Sequence, residues 1–141
     1  MQPELRRLKR LQRLEQVRAI AKQAAALDAA RAESTLQHLR ALAERTRMLA
    51  GGYDPRAAAP DGHALRQMSQ FVSGLSGISA TTERDALAAQ DLADRKQHEL
   101  ARAERARAAA EERAESQAQL LAQRTARPEM AARRAVGTGL E

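Results

Sequence analysis

Apolar residues recur at alternating spacings of three and four through the second half of the chain, from Leu65 to Leu121. The register never slips, and most members are Ala, Leu, Val or Met, which predicts a long helix with a coiled-coil seam. Two charged members would weaken the seam or fix its register. The predicted seam is Leu65, Met68, Val72, Leu75, Ser79, Thr82, Ala86, Ala89, Ala93, Lys96, Leu100, Ala103, Arg107, Ala110, Ala114, Gln117 and Leu121.

An earlier helix is predicted over residues 4–50. Pro3 suits a first turn, and Gly51 and Gly52 mark the end, as glycine does after helices. The first apolar residues of this helix are spaced three residues apart. Because a helix has 3.6 residues per turn, this spacing shifts each successive apolar side chain around the helix, so more than one face is apolar. These residues are Leu5, Leu8, Leu11, Leu14, Val17 and Ile20, and a thinner seam continues through Ala24, Leu27, Leu36, Leu39, Leu42 and Leu49.

The two helices are predicted to form one all-α domain, residues 1–141: an elongated, antiparallel two-helix coiled-coil hairpin. Residues 51–63, GGYDPRAAAPDGH, contain turn residues and form the connector, which includes Tyr53. Helix two spans 64–127, Pro128 ends it, and 128–141 is a flexible tail. We expect helix two to be unbroken, because the seam register passes through Gly74 and Gly77.

Composition favours this fold over a compact globule. Charged residues make up 30% of the 141 residues and aromatic residues 1%, a balance typical of coiled coils. The absence of Cys fits a reducing compartment. With no apolar run of membrane-spanning length and no secretory signal pattern, we expect a cytoplasmic protein, at most peripheral to a membrane.

Positive charge is concentrated at the N-terminus. The net charge is +6, and residues 1–18 alone contribute +4. Cations at a helix N-terminus oppose the helix dipole, which favours a binding role over a merely solvated helix start. An acidic protein surface is the first choice of partner and anionic lipid the second. Nucleic acid is third, because no recognition motif or aromatic interleaving accompanies the charge.

The stretch MSQFVSGLSGIS, residues 68–79, holds the single Phe of the chain. Val72 and Leu75 satisfy the seam, whereas Phe71 and Ile78 stand beside it. The apolar face is thus wider than one partner helix covers, which indicates a docking surface, with packing inside the hairpin as the alternative. The glycines would then allow close approach of a partner backbone.

Motifs for catalysis are lacking. The sequence contains no phosphate-binding G-x-x-x-x-G-K-[ST] loop, and His98-Glu99 is followed at the zinc-pair position by Arg102 instead of His. We therefore expect no catalytic residue, no cofactor, no metal and no enzymatic activity.

Three segments resemble the flagellar FliJ family, coiled-coil proteins of the type III export apparatus. They are the opening ELRRLKRLQRLEQVRAIAKQAA, the Phe-x-x-x-Leu-x-x-Ile pattern in QFVSGLSGI, and the Ala/Arg/Glu helix ending near QLLAQR; together they span residues 4–127. The resemblance implies a hairpin similar to the rotor stalk of the F1 ATPase. It implies a stalk or adaptor that couples a hexameric export ATPase to the transmembrane export gate and contacts export chaperones, in the cytoplasm at the inner face of the cell membrane.

The resemblance also implies where the partners bind. The gate would contact Phe71, Leu75 and Ile78, with Leu42 and Leu49 as a companion set on helix one. The ATPase ring would contact the cationic end, Arg6, Arg7, Lys9, Arg10 and Arg13. Two other classes stay open: a generic basic coiled coil that binds nucleic acid or an anionic membrane surface, and a self-assembling oligomer whose seam pairs between chains.

Overall fold

A computed structural model describes residues 2–52 and 61–137, which form two helices, α1 (Gln2–Gly52) and α2 (Gly62–Gly137). The helices pack against each other, and no residue in these two ranges lies in a strand. The predicted all-α, antiparallel two-helix coiled-coil hairpin is confirmed.

The start of α2 is set by Asp61. Its Oδ1 accepts a hydrogen bond from the backbone N–H of Ala64 at 2.7 Å, and its carbonyl oxygen accepts one from Leu65 at 3.1 Å. Asp is a preferred residue at this position because its side chain satisfies an N–H group that has no partner within the helix. At the other end of the predicted connector, Gly51 and Gly52 belong to α1. Residues 53–60, with Tyr53, lie outside the described residues.

Helix α2 continues without a break through Gly74 and Gly77, as predicted, but the prediction that Pro128 ends it is wrong. Proline lacks the N–H that would bond to the carbonyl of Arg124, which costs about 3 kcal/mol in a helix interior. The helix nevertheless continues to Gly137, because the residues that follow, EMAARRAV, are mostly good helix formers. Of the predicted tail, 128–137 is therefore helical, and 138–141 lies outside the described residues.

The chain divides into two compact units. Unit 1 comprises Met1–Ala25 and Leu100–Glu141, and unit 2 comprises Ala26–Glu99. Each unit contains a section of α1 and a section of α2.

In unit 2 the core consists of small side chains around one leucine. Leu36 is 1% exposed and packs with buried Ala32, Ala89 and Ala93, while Leu39 covers the cluster from one side. Alanine allows two helices to approach closely, although each layer then buries little apolar area. The stability of this unit therefore depends strongly on its few larger core side chains.

A polar contact on the flank of unit 2 defines the register. Arg40 Nη2 donates to Gln90 Oε1, and Gln90 Nε2 donates to Asp94 Oδ1 at 2.9 Å. Both helices rise 1.5 Å per residue. Because Arg40 is level with Gln90, Gly52 is level with approximately Ile78.

The two buried threonines of the unit 2 seam are satisfied within their own helices. Thr46 and Thr82 are buried, and each donates its hydroxyl to the carbonyl four residues earlier, at 2.7 Å. A buried hydroxyl with a partner avoids most of its desolvation cost. These threonines thus fill the seam without needing a polar partner on the opposite helix.

The seam of unit 1 is more polar. Ala110, Ala114 and Leu121 are buried, and an ion pair joins Glu4 of α1 to Arg124 of α2. Arg107 is half-buried, and its Nε has no hydrogen-bond partner among the described residues. A desolvated donor without a partner costs about 1–3 kcal/mol, so the predicted weakening of the seam at this residue is supported.

The α2 seam is confirmed: every predicted member except Leu65 is buried or half-buried. The α1 seam was wrong at four positions, because Ala24, Leu27, Leu42 and Leu49 are exposed. The buried positions that continue the 3-4 spacing of Leu36 and Leu39 are mainly alanines. In an Ala-rich helix the spacing of the leucines therefore does not predict which face is buried. In unit 2 the α1 seam is Ala29, Ala32, Leu36, Leu39, Ala43, Thr46 and Ala50.

Within the described ranges, neither helix contains a stretch long and apolar enough to cross a membrane.

We predict that Leu36→Ala lowers the free energy of unfolding by about 2–4 kcal/mol, because it leaves a cavity in the only fully buried large side-chain position among the described residues. The matched control is Leu27→Ala, the same truncation at a side chain that is 51% exposed, for which we expect less than about 1 kcal/mol. Thermal and urea unfolding followed by circular dichroism measure both. Equal losses would contradict the observed seam.

Candidate functional site

Four cations form a stripe on α1 in unit 1. Arg6, Lys9, Arg10 and Arg13, hereafter the basic stripe, recur at helical spacing, are all exposed and line one shallow surface groove. None of the four forms an ion pair with a described residue. Arg7, which was predicted to act with them, instead lines grooves beside Gln117 and Leu120 of α2, on another face.

The basic stripe is unfavourable for the helix that carries it. Like charges four residues apart repel by a few tenths of a kcal/mol per pair, and cations near a helix N-terminus oppose its dipole by a similar amount. An anionic partner would relieve both effects. The charge arrangement therefore indicates an anion-binding surface.

The fold gathers further positive charge into the same unit. Among the described residues, unit 1 holds 15 Lys or Arg against 7 Asp or Glu, a net charge of +8, whereas unit 2 holds 8 against 9, a net charge of −1. This charge separation was not predicted from the sequence, because residues 79–141 taken as one section have a net charge of zero. That section combines an acidic part, 79–99, with a basic part, 100–137.

Exposed apolar side chains lie together along one flank of unit 2. Arg40 and Gln90 each follow a seam residue in sequence, and they meet on one flank of the helix pair. Residues that precede a seam residue accordingly lie along the opposite flank. Five large apolar residues of unit 2 in this position are exposed. Four of them are about half exposed and are called the apolar flank, namely Leu42, Leu49, Phe71 and Ile78; the fifth, Leu92, is 41% exposed.

The structure thus places four of the five predicted gate-contact residues on a common flank. Leu75 differs, because it lies in the seam and is half-buried. Phe71 and Ile78, at 53% and 56% exposed, are not core residues of the described chain.

The described residues impose no structural requirement for glycine at the two positions beside this flank. Neither Gly74 nor Gly77 has a positive φ, and a Cβ built on either one would meet no atom within 4 Å. Their predicted role, close approach of a partner backbone, refers to a molecule other than the described chain and stays a prediction.

In the described ranges, no three His, Asp or Glu side chains are grouped so that they could hold a metal ion. The fold and its surfaces define a two-helix coiled-coil hairpin with a basic surface on one unit and an apolar flank on the other. No protein-family model, curated protein or solved structure matches the chain.

We predict that Gly74→Ala and Gly77→Ala each raise the free energy of unfolding by about 0.5–1 kcal/mol, because alanine favours the helix and the added methyl group has open space. Gly137→Ala, the same change at the last residue of α2, is the control and is expected to have little effect. Melting temperatures by circular dichroism measure all three. A loss of stability at position 74 or 77 would mean that the glycine is needed in a conformation other than this helix.

Proposed function

We propose that the chain is a non-enzymatic stalk or adaptor of the flagellar type III export machinery, which couples a hexameric export ATPase to the transmembrane export gate and contacts export chaperones. The proposal combines the resemblance to the FliJ family with two surfaces of opposite chemistry on separate units. It places the protein in the cytoplasm, at the inner face of the cell membrane.

The observation that carries the proposal is the concentration of positive charge in unit 1. A net charge of +8 on one unit attracts an acidic surface and speeds its association. Arginine predominates in the basic stripe, and its planar fork pairs bidentately with carboxylates. In the proposed function this surface binds acidic side chains of the ATPase ring.

The apolar flank is the proposed contact for the export gate. Half-exposed Phe71 and Ile78, with Leu42 and Leu49 along the same flank, offer a side that an amphipathic partner element would cover. The nearly neutral charge of unit 2 suits an apolar contact. In this proposal each unit has its own partner, and the chain links them without any chemical step of its own.

The same charge also favours a second candidate function, binding of a polyanion such as nucleic acid or an anionic membrane surface. Binding of that kind depends on displacing counterions, so it falls steeply with salt and is insensitive to sequence. An acidic protein surface with matched geometry would retain part of its affinity at physiological ionic strength.

The proposal predicts that the intact protein raises the turnover of a purified cognate export ATPase, and that replacing the basic stripe with alanine weakens this effect. At about 0.5 kcal/mol per exposed pair, loss of four pairs costs about 2 kcal/mol. The concentration needed for half-maximal stimulation should therefore rise about 30-fold. Steady-state ATP hydrolysis measures it.

The matched control removes the same number of exposed cations from unit 2, at Arg31, Arg45, Arg66 and Arg84. We expect this variant to stimulate the ATPase almost as well as the original chain. Absence of stimulation by the intact protein would remove the proposed function. Strong nucleic acid or vesicle binding without stimulation would favour the second candidate instead.

A further inference from the structure

Helix α1 carries a second row of residues at spacings of four and three, on the face opposite the seam of unit 1. Each member of the row lies two positions from one of four half-buried residues, Leu8, Leu11, Glu15 and Lys22. Two positions correspond to about 200° around a helix, which places the row on the outer side of α1. All members are exposed, and this outer row consists of Arg6, Arg10, Arg13, Val17, Ile20 and Ala24.

The outer row changes from basic to apolar halfway along its length. Its first three members belong to the basic stripe, whereas Val17 and Ile20 are large apolar residues that are 61% and 67% exposed. The residues on either side of this apolar half, Gln16, Ala21 and Gln23, carry no charge. The outer face of a helix at a protein surface usually carries charged and polar residues. The second apolar face that the three-residue spacing predicts is therefore exposed in the described structure.

Residues 53–60 are too far along the chain to cover Val17 or Ile20. They start from Gly52, which lies 32 positions and about 48 Å of helix after Ile20. Eight residues span at most about 29 Å even when fully extended.

The undescribed residues at the two chain ends are also too distant. The ion pair between Glu4 and Arg124 makes these two residues level with each other. Residues 138–141 begin about 21 Å further along α2 and span at most about 14 Å, so they do not return to the level of Glu4. The first residue of the chain is about 24 Å from Val17 along α1. Burial of the apolar half of the outer row therefore requires a partner beyond residues 1–141.

We propose that the outer row is the docking face for a helix of a partner protein. Carboxylate side chains of that helix lie opposite the three arginines of the row, and apolar side chains lie opposite Val17 and Ile20. Alternating spacings of three and four are those at which one helix presents a continuous face to another, and opposite charges across the contact fix its register. The partner element is thus an amphipathic helix whose docking face has an acidic half and an apolar half.

The order of basic and apolar residues along the row favours a protein helix over other partners. A helix that lies on anionic lipid has its cations at the sides of its apolar face, whereas here Arg13 and Val17 lie on the same face. Phosphates of a nucleic acid would pair with the basic stripe but leave Val17 and Ile20 uncovered. A second copy of this chain is disfavoured, because its unit 1 carries the same net charge of +8.

The inference deepens the proposed function, because it rests on the binding of an acidic protein surface to the basic stripe and adds an apolar half to that contact. The outer row is about 27 Å long, which gives an interface at the lower end of the sizes of specific protein contacts. We expect a dissociation constant on the order of 10–100 μM for a helix of this kind. Salt should weaken the binding only in part, because the apolar half of the contact is not screened.

The test uses the complete chain and synthetic helical peptides of about 20 residues, a length that matches the outer row. Two peptides carry glutamates along one half of one helix face and leucines along the other half. The glutamates come first in one peptide and last in the other, which covers both directions of the docked helix. A control peptide of the same composition has its glutamates and leucines on opposite faces. By fluorescence anisotropy at physiological ionic strength, we expect one of the two peptides to bind at least about tenfold more tightly than the control.

Val17→Ala combined with Ile20→Ala should weaken binding of that peptide at least about tenfold, because its leucines lose their contacts. The melting temperature of the chain should stay close to the original, since both side chains are exposed. Met130→Ala combined with Val136→Ala is the matched control. It removes two apolar side chains that are 62% and 72% exposed on α2 of the same unit, and it should leave peptide binding unchanged.

Equal binding of the peptide to the original chain and to the variant at positions 17 and 20 would mean that charge alone attracts it, and would overturn the proposal. Failure of both peptides to bind at millimolar concentration would overturn it as well.

Vesicles of equal parts phosphatidylglycerol and phosphatidylcholine distinguish a membrane from a protein helix. We expect the original chain and the variant at positions 17 and 20 to bind these vesicles alike, because only the basic stripe takes part. Loss of vesicle binding in the variant, without loss of peptide binding, would assign the outer row to a membrane and contradict the proposal. No export ATPase enters these measurements. Peptide binding without ATPase stimulation would therefore remove only the proposed function, and stimulation without peptide binding would remove only this inference.

Discussion

Close packing of small side chains along the seam between α1 and α2 is the interaction on which the other features depend. Alanines at most buried positions allow the helices to approach closely, and Leu36 supplies the one large side chain that is fully buried in the described part of the chain. Because each layer buries little area, the pairing tolerates few defects, and its register determines which residues stay exposed. The charge distribution and the apolar flank are both consequences of that register.

The register separates two kinds of surface that the linear sequence mixes. Cations from both ends of the chain enter unit 1, whereas unit 2 is almost neutral and carries the exposed apolar side chains of the apolar flank. Within unit 1 the seam itself contains Arg107, whose Nε has no hydrogen-bond partner in the part of the chain that the structure describes, so this unit combines strong external charge with a less favourable interior. Electrostatic attraction and apolar burial respond oppositely to salt, so two contacts of such different chemistry can be measured independently.

Much of the fold can be predicted from the periodicity of the sequence, and the predictions that were wrong have physical causes. The α2 seam was predictable because Leu, Met and Val mark its start and alanine continues at the same spacing. The α1 seam was mispredicted at Leu27, Leu42 and Leu49, since in an Ala-rich helix an alanine face can be the buried one. The prediction that α2 ends at Pro128 was wrong because the residues on either side of this proline are mostly good helix formers. Phe71 and Ile78 were predicted to lie beside the seam, but periodicity left their exposure or burial open, and the structure has both about half exposed. The charge separation depends on the pairing of distant segments, which the periodicity of a single helix does not give.

The register can be measured most directly with pairs of cysteines introduced into this Cys-free chain. Arg40→Cys would be combined in turn with Glu83→Cys, Gln90→Cys and Gln97→Cys, three positions that each follow a seam residue and are one heptad apart. With a short cross-linking reagent at high dilution, the observed register predicts that the pair 40–90 links within one chain much faster than the other two. Faster linking of 40–83 or 40–97 would show a register shifted by a heptad and would contradict the account.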